Sequence, residues 1–134
     1  MHVHVVQIYY EDTDHSGFVY HANYLKYFER AREHMLGVAE LRRLFEEEGI
    51  GFVVYKVEIT YKEGSSFGDT LEIHSSVRAE SEYRAVFEQV ARREGRDLVK
   101  GVLHLVCVDR DKKLVPLPPG VMSAITGDVT SEPP

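Results

Sequence analysis

The sequence predicts a single α+β domain in which an antiparallel sheet packs on one dominant helix. Three observations predict this class: a helical period in the first third of the chain, a period of two through most of the rest, and no regular helix crossovers of the kind that a parallel sheet requires. The 134 residues are 43% hydrophobic, which suits one buried core. We therefore expect one domain over residues 1–125, followed by a flexible polar tail over residues 126–134.

The first elements are a strand and a long helix. Residues 2–10 are rich in β-branched and aromatic side chains, which predict a strand, and a polar loop follows at residues 11–17. Helical spacing predicts a helix over residues 22–36, which Gly37 is placed to end, and a short helix over residues 39–48. The inward face of the long helix is predicted to carry Leu25, Phe28, Ala31 or Arg32, and Met35.

The rest of the chain predicts four strands in a meander. Apolar and polar side chains alternate over residues 55–62 and 71–78, and a hairpin joins residues 83–92 to residues 98–108 through a turn that contains Gly95. The last of these strands is apolar on both faces. Such a strand needs cover on both sides, so we expect another subunit to supply part of it.

Charge and cysteine content exclude several classes. The formal net charge of −6 disfavours a nucleic-acid partner, because phosphate binding needs clustered Lys and Arg. No uncharged stretch is long enough for a membrane span. The single cysteine, Cys107, cannot form an internal disulfide, and no N-terminal segment reads as a targeting signal, so we expect a cytoplasmic protein.

Reactive side chains are concentrated between the first strand and the long helix, in the run YYEDTDHSGFVYHANY over residues 9–24. A carboxylate just ahead of a helix lies beside backbone N–H groups that lack an intrahelical partner and can bind an oxyanion. This arrangement suits acyl transfer from a thioester, because a thiolate leaves readily. The carboxylate can either attack the thioester carbon or activate a water, and the sequence leaves both routes open. A solvated acidic loop with helix-capping side chains is the alternative interpretation.

Residues 9–32 pair the motif D-x-D-x-x-G-x-V-Y-H-x-x-Y with E-x-x-R on the following helix. This run resembles the signature of hot-dog-fold acyl-CoA thioesterases of the 4-hydroxybenzoyl-CoA thioesterase type, particularly the branch associated with the Tol-Pal system. A second stretch similar to the family, residues 67–73, opens the third strand. The resemblance implies a curved antiparallel sheet wrapped around the long helix and acyl-CoA as substrate, without cofactor or metal ion. It also implies a homodimer or homotetramer with active sites at the subunit interface.

The resemblance assigns roles to individual residues. It implies that Asp14 is the catalytic carboxylate and that the backbone N–H of His21 is the oxyanion donor, with the His21 imidazole lining the site. Tyr10 matches an aromatic residue near the site. Three further residues are expected to contact substrate: Tyr20, Asn23 and Tyr24. For Asn23, a second interpretation is that it caps or braces the helix start.

Several other residues have competing interpretations. We expect Glu29 and Arg32 to form an ordinary i,i+3 ion pair on the helix rather than to act in catalysis. His2 and His4 have the spacing of two metal ligands on a strand, but no third ligand is evident. The basic residues of the hairpin at positions 92–100 belong either to a solvated turn or to contacts with coenzyme A phosphates.

Two other functions remain alternatives at this stage. The D-T-D triplet after an apolar strand superficially resembles the loop of a metal-dependent phosphatase, although that class ordinarily uses a parallel sheet. A non-catalytic acyl-CoA-binding or scaffold protein on the same fold is the second alternative, since fold alone does not fix activity.

Overall fold

An antiparallel six-stranded sheet forms one layer of the structure, and the long helix α1 (Asn23–Leu36) lies across it. The computed structural model describes residues 1–130. The other helices are α2 (Val38–Arg43) and α3 (Pro119–Thr130), with a 3-10 turn at Tyr10–Asp12 and a π-helical turn at Leu44–Glu48. The strands are β1 (His2–Gln7), β2 (Gly51–Tyr61), β3 (Thr70–Ala79), β4 (Arg84–Arg93), β5 (Arg96–Val108) and β6 (Leu114–Val115).

The strands lie in the order β1-β3-β4-β5-β2, and the short β6 also pairs with β5. The predicted four-strand meander is therefore wrong, because β2 pairs with β5 and only β3, β4 and β5 follow one another. β1 occupies the edge of β3 that a meander would give to β2. The connection between β2 and β3 accordingly crosses one end of the sheet: Lys62 N–H donates to Leu98, and at the far side Ile8 N–H donates to Asp69.

The inward face of α1 is set by its two tyrosines and by Phe28, all of which are buried. Leu25 is 38% exposed, so its predicted inward position is wrong; the buried stripe runs through Tyr24 and Tyr27 instead. Phe28 lies so close to β5 that a Cβ atom on Gly101 would be 2.9 Å from its ring. The absent side chain at Gly101 therefore sets how closely the helix approaches the sheet.

Arg32 also lies on the inward face, and the predicted Glu29–Arg32 ion pair is wrong. The Arg32 guanidinium donates from Nη1 to Oε1 of Gln89 at 3.0 Å, beneath the helix. Gln89 in turn donates from Nε2 to the Phe28 carbonyl and to the Ser75 hydroxyl, each at 2.9 Å. The cause is the helical period, since a residue four positions after Phe28 lies above it on the same face, whereas Glu29 faces solvent.

The outer edge of β2 pairs with no strand within residues 1–130. Apolar side chains on this strand are exposed, including Val53, Tyr55 and Val57. The outward face of β5, where Val106 lies, is only partly covered. The cover that the apolar sequence of β5 requires is therefore incomplete within the described part of the chain.

The C-terminal segment folds back on the sheet as α3, where Val121 and Ile125 are buried. This helix continues to Thr130, past the end of the domain predicted at residue 125. Residues 131–134 of the predicted flexible tail lie outside the described residues. None of the helices within residues 1–130 is both long enough and apolar enough to cross a membrane.

Candidate active site

The reactive loop between β1 and α1 is a small hairpin. Thr13 and Val19 form a bridge between its two arms, and Asp14 N–H donates to the Phe18 carbonyl at 3.0 Å. The turn closes where Gly17 N–H donates to the Asp14 carbonyl at 3.0 Å. Gly17 has a φ of +89°, a conformation that side-chain-bearing residues rarely adopt. The hairpin thus presents Asp14 at its tip.

The first aspartate of the motif, Asp12, holds the loop together. Its Oδ2 accepts the N–H of Tyr9 at 2.8 Å. Its backbone carbonyl accepts two further hydrogen bonds, from Tyr20 N–H at 3.0 Å and from Nδ2 of Asn23 at 2.9 Å. The Asn23 amide therefore joins the helix start to the loop, as its second interpretation expected.

The second aspartate, Asp14, is exposed and reaches solvent. One of its carboxylate oxygens, Oδ1, accepts the backbone N–H of Ser16 at 2.8 Å and the hydroxyl of Ser16. The hydroxyl bond, then the backbone bond and the nearby His15 lower the pKa of the Asp14 carboxyl below its ordinary value. Asp14 is consequently ionised at neutral pH.

The start of α1 leaves backbone donors unused. Ala22 is the N-cap residue, and no side chain caps the helix. The backbone N–H of His21 donates to no acceptor within residues 1–130. The His21 carbonyl accepts the Tyr61 hydroxyl at 3.0 Å, which fixes the backbone at this point. This helix start can therefore donate to an incoming oxyanion.

A surface depression of about 280 Å³ lies beside the helix start and is lined by His21, Tyr24 and Tyr61 among others. The His21 ring lies 4.6 Å from the ring of Tyr20, which is 47% exposed. Tyr24 is 2% exposed, and its hydroxyl shares a hydrogen bond of 2.5 Å with the Ser65 hydroxyl. Tyr24 thus offers the depression its ring and not a free hydroxyl.

The remaining predicted site residues do not line this depression. Tyr10 is 76% exposed, and its ring meets the edge of Phe67 at 5.9 Å between centroids. Asn23 faces a separate polar cavity that Asp12 also lines. The structure therefore brings His21 and Tyr24 together on one surface, with Asp14 exposed at the tip of the neighbouring hairpin.

Sequence reasoning did not show that the loop at residues 62–69 supports the reactive loop from the other side. Ser65 accepts the N–H of Val19 at its carbonyl, at 2.8 Å. Asp69 accepts the N–H of Ser66 at 2.8 Å and Nη1 of Arg93 at 2.9 Å, which fixes the loop. The signal was present in the stretch at residues 67–73, but alternation alone does not show which loops meet.

The arginines of the basic hairpin at residues 92–100 form ion pairs. Arg92 pairs with Asp97 at 2.7 Å, and Arg96 pairs with Glu63 at 3.0 Å. These arginines already have carboxylate partners, so the structure singles out no free phosphate contact among them.

The histidines of β1 do not form a recognisable metal site. The His4 ring stacks on His34 with centroids 4.5 Å apart, and burial together with neighbouring cationic groups lowers the pKa of His4. Across residues 1–130, no group of three or more His, Cys, Asp or Glu side chains is arranged to hold a metal ion.

Comparison with known proteins identifies related sequences and folds. Residues 9–125 match the model of a family described as the thioesterase-like superfamily. The acyl-CoA thioesterase YbgC of Haemophilus influenzae is 38% identical over 122 residues, which cover 89% of this chain and 90% of that protein. The solved structure of a probable thioesterase from Bartonella henselae is 30% identical with a TM-score of 0.81, and the match covers 87% of this chain and 98% of that one. A 1,4-dihydroxy-2-naphthoyl-CoA thioesterase from Synechocystis shares the fold, with a TM-score of 0.86 at 22% identity, over 93% of this chain and 95% of that one.

Proposed function

This chain belongs to the thioesterase-like superfamily and is a thioesterase, and from this premise we propose that it hydrolyses acyl-CoA to a free acid and coenzyme A, with Asp14 as the catalytic carboxylate. The predicted α+β hot-dog fold is confirmed by the antiparallel sheet around α1 and by the related structures. The relatives named as acyl-CoA thioesterases support the choice of substrate. Membership of the Tol-Pal-associated branch and a cytoplasmic location stay predictions.

The observation that carries this proposal is the pairing of an exposed, ionised carboxylate with unused helix N–H groups in one short loop. Asp14 supplies the carboxylate oxygen that reacts. The His21 N–H, which has no acceptor within residues 1–130, can donate to the thioester oxygen as negative charge develops on it. A thiolate is a good leaving group, so the reaction needs no strong acid beside it. These are the two groups that the proposed hydrolysis requires.

Of the two routes, we favour direct attack by Asp14. In this route a carboxylate oxygen forms a bond to the acyl carbon, the carbon–sulfur bond breaks, and coenzyme A departs as a thiolate. Water then cleaves the mixed anhydride, which releases the acid and restores the carboxylate. The hydrogen bonds from Ser16 lower the pKa of the Asp14 carboxyl and so keep it ionised, as direct attack requires.

The test is the isosteric substitution Asp14→Asn, with Glu11→Gln as the matched control on a neighbouring exposed acid. We expect Asp14→Asn to lose at least about 100-fold in kcat because the attacking oxygen is gone, while KM and the circular dichroism spectrum change little. Thiol release from a panel of acyl-CoA substrates measures both variants. An Asp14→Asn enzyme that keeps a third of wild-type kcat would refute the role of Asp14.

The alternative functions fit less well. A phosphatase of the D-T-D type needs its first aspartate free, whereas Asp12 is committed to hydrogen bonds with the loop backbone. Its usual parallel sheet is also absent from residues 1–130, since the paired strands are antiparallel. Membership of a family of thioesterases speaks against a purely non-catalytic scaffold.

We further infer that two or more copies associate through β2 and complete the site. The free edge of this strand, with exposed Val53, Tyr55 and Val57, supports this inference. Tyr61, at the end of the same strand, lines the depression beside His21, so a partner on this edge would lie next to the site. Sedimentation of the full-length chain at the concentrations used for activity assays decides the point, and a fully active monomer would contradict it.

A further inference from the structure

An apolar pocket lies at the other end of α1, away from the reactive loop. It has a volume of about 190 Å³ and is walled by Leu36, Leu41, Leu44, Phe52 and Leu105 among others. An apolar cavity of roughly 150 Å³ in another protein binds benzene, so this pocket has room for one aromatic ring with a small substituent. Its walls come from α1, α2, the π-helical turn that follows α2, β2 and β5.

One wall of this pocket is a buried cation. Arg32 is 7% exposed and lines the pocket. Its one hydrogen-bond acceptor within residues 1–130 is Gln89, a neutral amide, and no described Asp or Glu side chain forms an ion pair with it. Its guanidinium also lies over the Phe87 ring at 5.8 Å. A guanidinium has five N–H donors, and one of them is used within the described part of the chain. Glu29 and Glu33 favour the charge of Arg32 from the rim but accept no hydrogen bond from it, so Arg32 has unused donors for an anion.

The rim of the pocket restricts the kind of anion. Glu29 and Glu33 line its mouth and are exposed. Their charges act on Arg32 as well as on the opening, so they oppose any negative group that does not contact the guanidinium directly. A carboxylate that reaches Arg32 leaves only apolar atoms near the rim. The apolar walls match the hydrocarbon part of such a ligand. The unused donors of Arg32 and the apolar walls together favour an apolar molecule that carries a single carboxylate.

We propose that this pocket binds small apolar monocarboxylates, with the carboxylate on Arg32 and the hydrocarbon part between Leu41, Leu44 and Phe52. Arg32 lies nine residues after Asn23, which is about 13 Å along the helix axis at 1.5 Å per residue. The pocket shares no lining residue with the depression beside His21. It is a second site, and it does not depend on the chemistry proposed for Asp14.

Sodium benzoate is the probe that tests this site. Benzyl alcohol is the uncharged control ligand, and terephthalate is the control ligand with two carboxylates. We expect benzoate to bind the full-length protein saturably at one molecule per chain in isothermal titration calorimetry and to raise the melting temperature as its concentration increases. Benzyl alcohol and terephthalate are each expected to bind at least about tenfold more weakly, because one lacks the charge and the other places a charge at the rim.

Three substitutions locate the binding. Arg32→Met removes the cation with a side chain of similar length, and Leu41→Trp fills the pocket without altering the hydrogen bond between Arg32 and Gln89. We expect each to weaken benzoate binding at least about tenfold. Arg30→Met, on the exposed side of the same helix, is the matched control and should leave the affinity unchanged. Leu41→Trp keeps the test decisive if Arg32→Met folds poorly.

The same titration on Asp14→Asn separates this site from product binding in the active site. Unchanged affinity of Asp14→Asn for benzoate supports a second site. The proposal is wrong if benzoate fails to saturate, if benzyl alcohol binds equally well, or if Asp14→Asn abolishes binding while Leu41→Trp retains it. None of these results bears on whether Asp14 performs hydrolysis.

Discussion

The two ends of α1 lie in opposite environments, one open to solvent and the other enclosed against the sheet. At its N-terminal end, charged and polar groups face solvent, and the loop backbone itself supplies most of the hydrogen bonds that hold them. At its C-terminal half, a cation is buried under the helix and bonded through Gln89 to Ser75 on the sheet. The proposed reactive end is thus the one where the helix has unpaired donors, whereas the enclosed half holds the buried hydrogen-bond network.

The largest effect is expected from Gln89→Leu in the enclosed half, which should lower stability and leave kcat almost unchanged. The substitution leaves Arg32, the Phe28 carbonyl and the Ser75 hydroxyl without their shared partner. We expect a loss of about 3 kcal/mol in the free energy of unfolding, because buried groups then lack hydrogen bonds. Urea denaturation measures this loss, and kcat of the remaining folded enzyme should stay within about twofold of the wild type.

A double variant serves as the control for Gln89→Leu. In Arg32→Met/Gln89→Leu the buried charge disappears together with its acceptor, so much of the lost stability should return. If the double variant loses the full sum of the two single losses, the network does not act as a unit and the enclosed half is held by packing alone.

A smaller effect is expected from Asp12→Ala at the open end. The change removes the acceptor of the Tyr9 N–H, which should cost about 1 kcal/mol of stability, as for other lost caps. It should also lower kcat. Without the side-chain bond to Tyr9 the loop is less firmly held, and the Asp12 carbonyl that positions Tyr20 and Asn23 can shift. Asp12→Asn keeps an acceptor oxygen and should retain the stability. Equal losses in both variants, measured by urea denaturation and thiol release, would mean that charge and not the hydrogen bond matters.

The smallest expected effect is a shift of a pH profile in Ser16→Ala. The Ser16 hydroxyl is the largest cause of the lowered pKa of Asp14, so its removal should raise that pKa toward the ordinary value. With Asp14 in its proposed catalytic role, activity requires the ionised form and is lost as pH falls through the Asp14 pKa. The acid limb of kcat/KM should therefore move to higher pH in the variant, with little change at neutrality. An acid limb that stays in place would show that a different group controls it.

Local sequence patterns predicted where each element lies in the chain better than they predicted which strands pair. The helical period placed α1 within one residue of its observed start, and alternation located β3 and β4 closely. The same alternation could not show that β2 pairs with β5, because a period of two identifies a strand's faces and not its neighbours. The motif predicted the reactive loop, but the supporting contact from Ser65 depends on a loop distant in sequence.

Arg32 shows why charge alone misleads in a sequence. Its spacing from Glu29 predicted a surface ion pair, yet its position four residues after Phe28 places it over the sheet. The helical period determined its environment, and the polar side chain of Gln89 in the facing strand made that environment tolerable. Nothing local to the helix reveals Gln89, since it follows in the chain 57 residues later.

The close approach of Phe28 to Gly101 has a consequence for how this sequence can diverge. A methyl group at position 101 would lie 2.9 Å from the ring, so a bulkier residue there requires a smaller one at position 28 or a displaced helix. The displaced helix would carry His21 and the reactive loop with it. The two positions should therefore change together among descendants of this protein, with the smaller helix residue arising first.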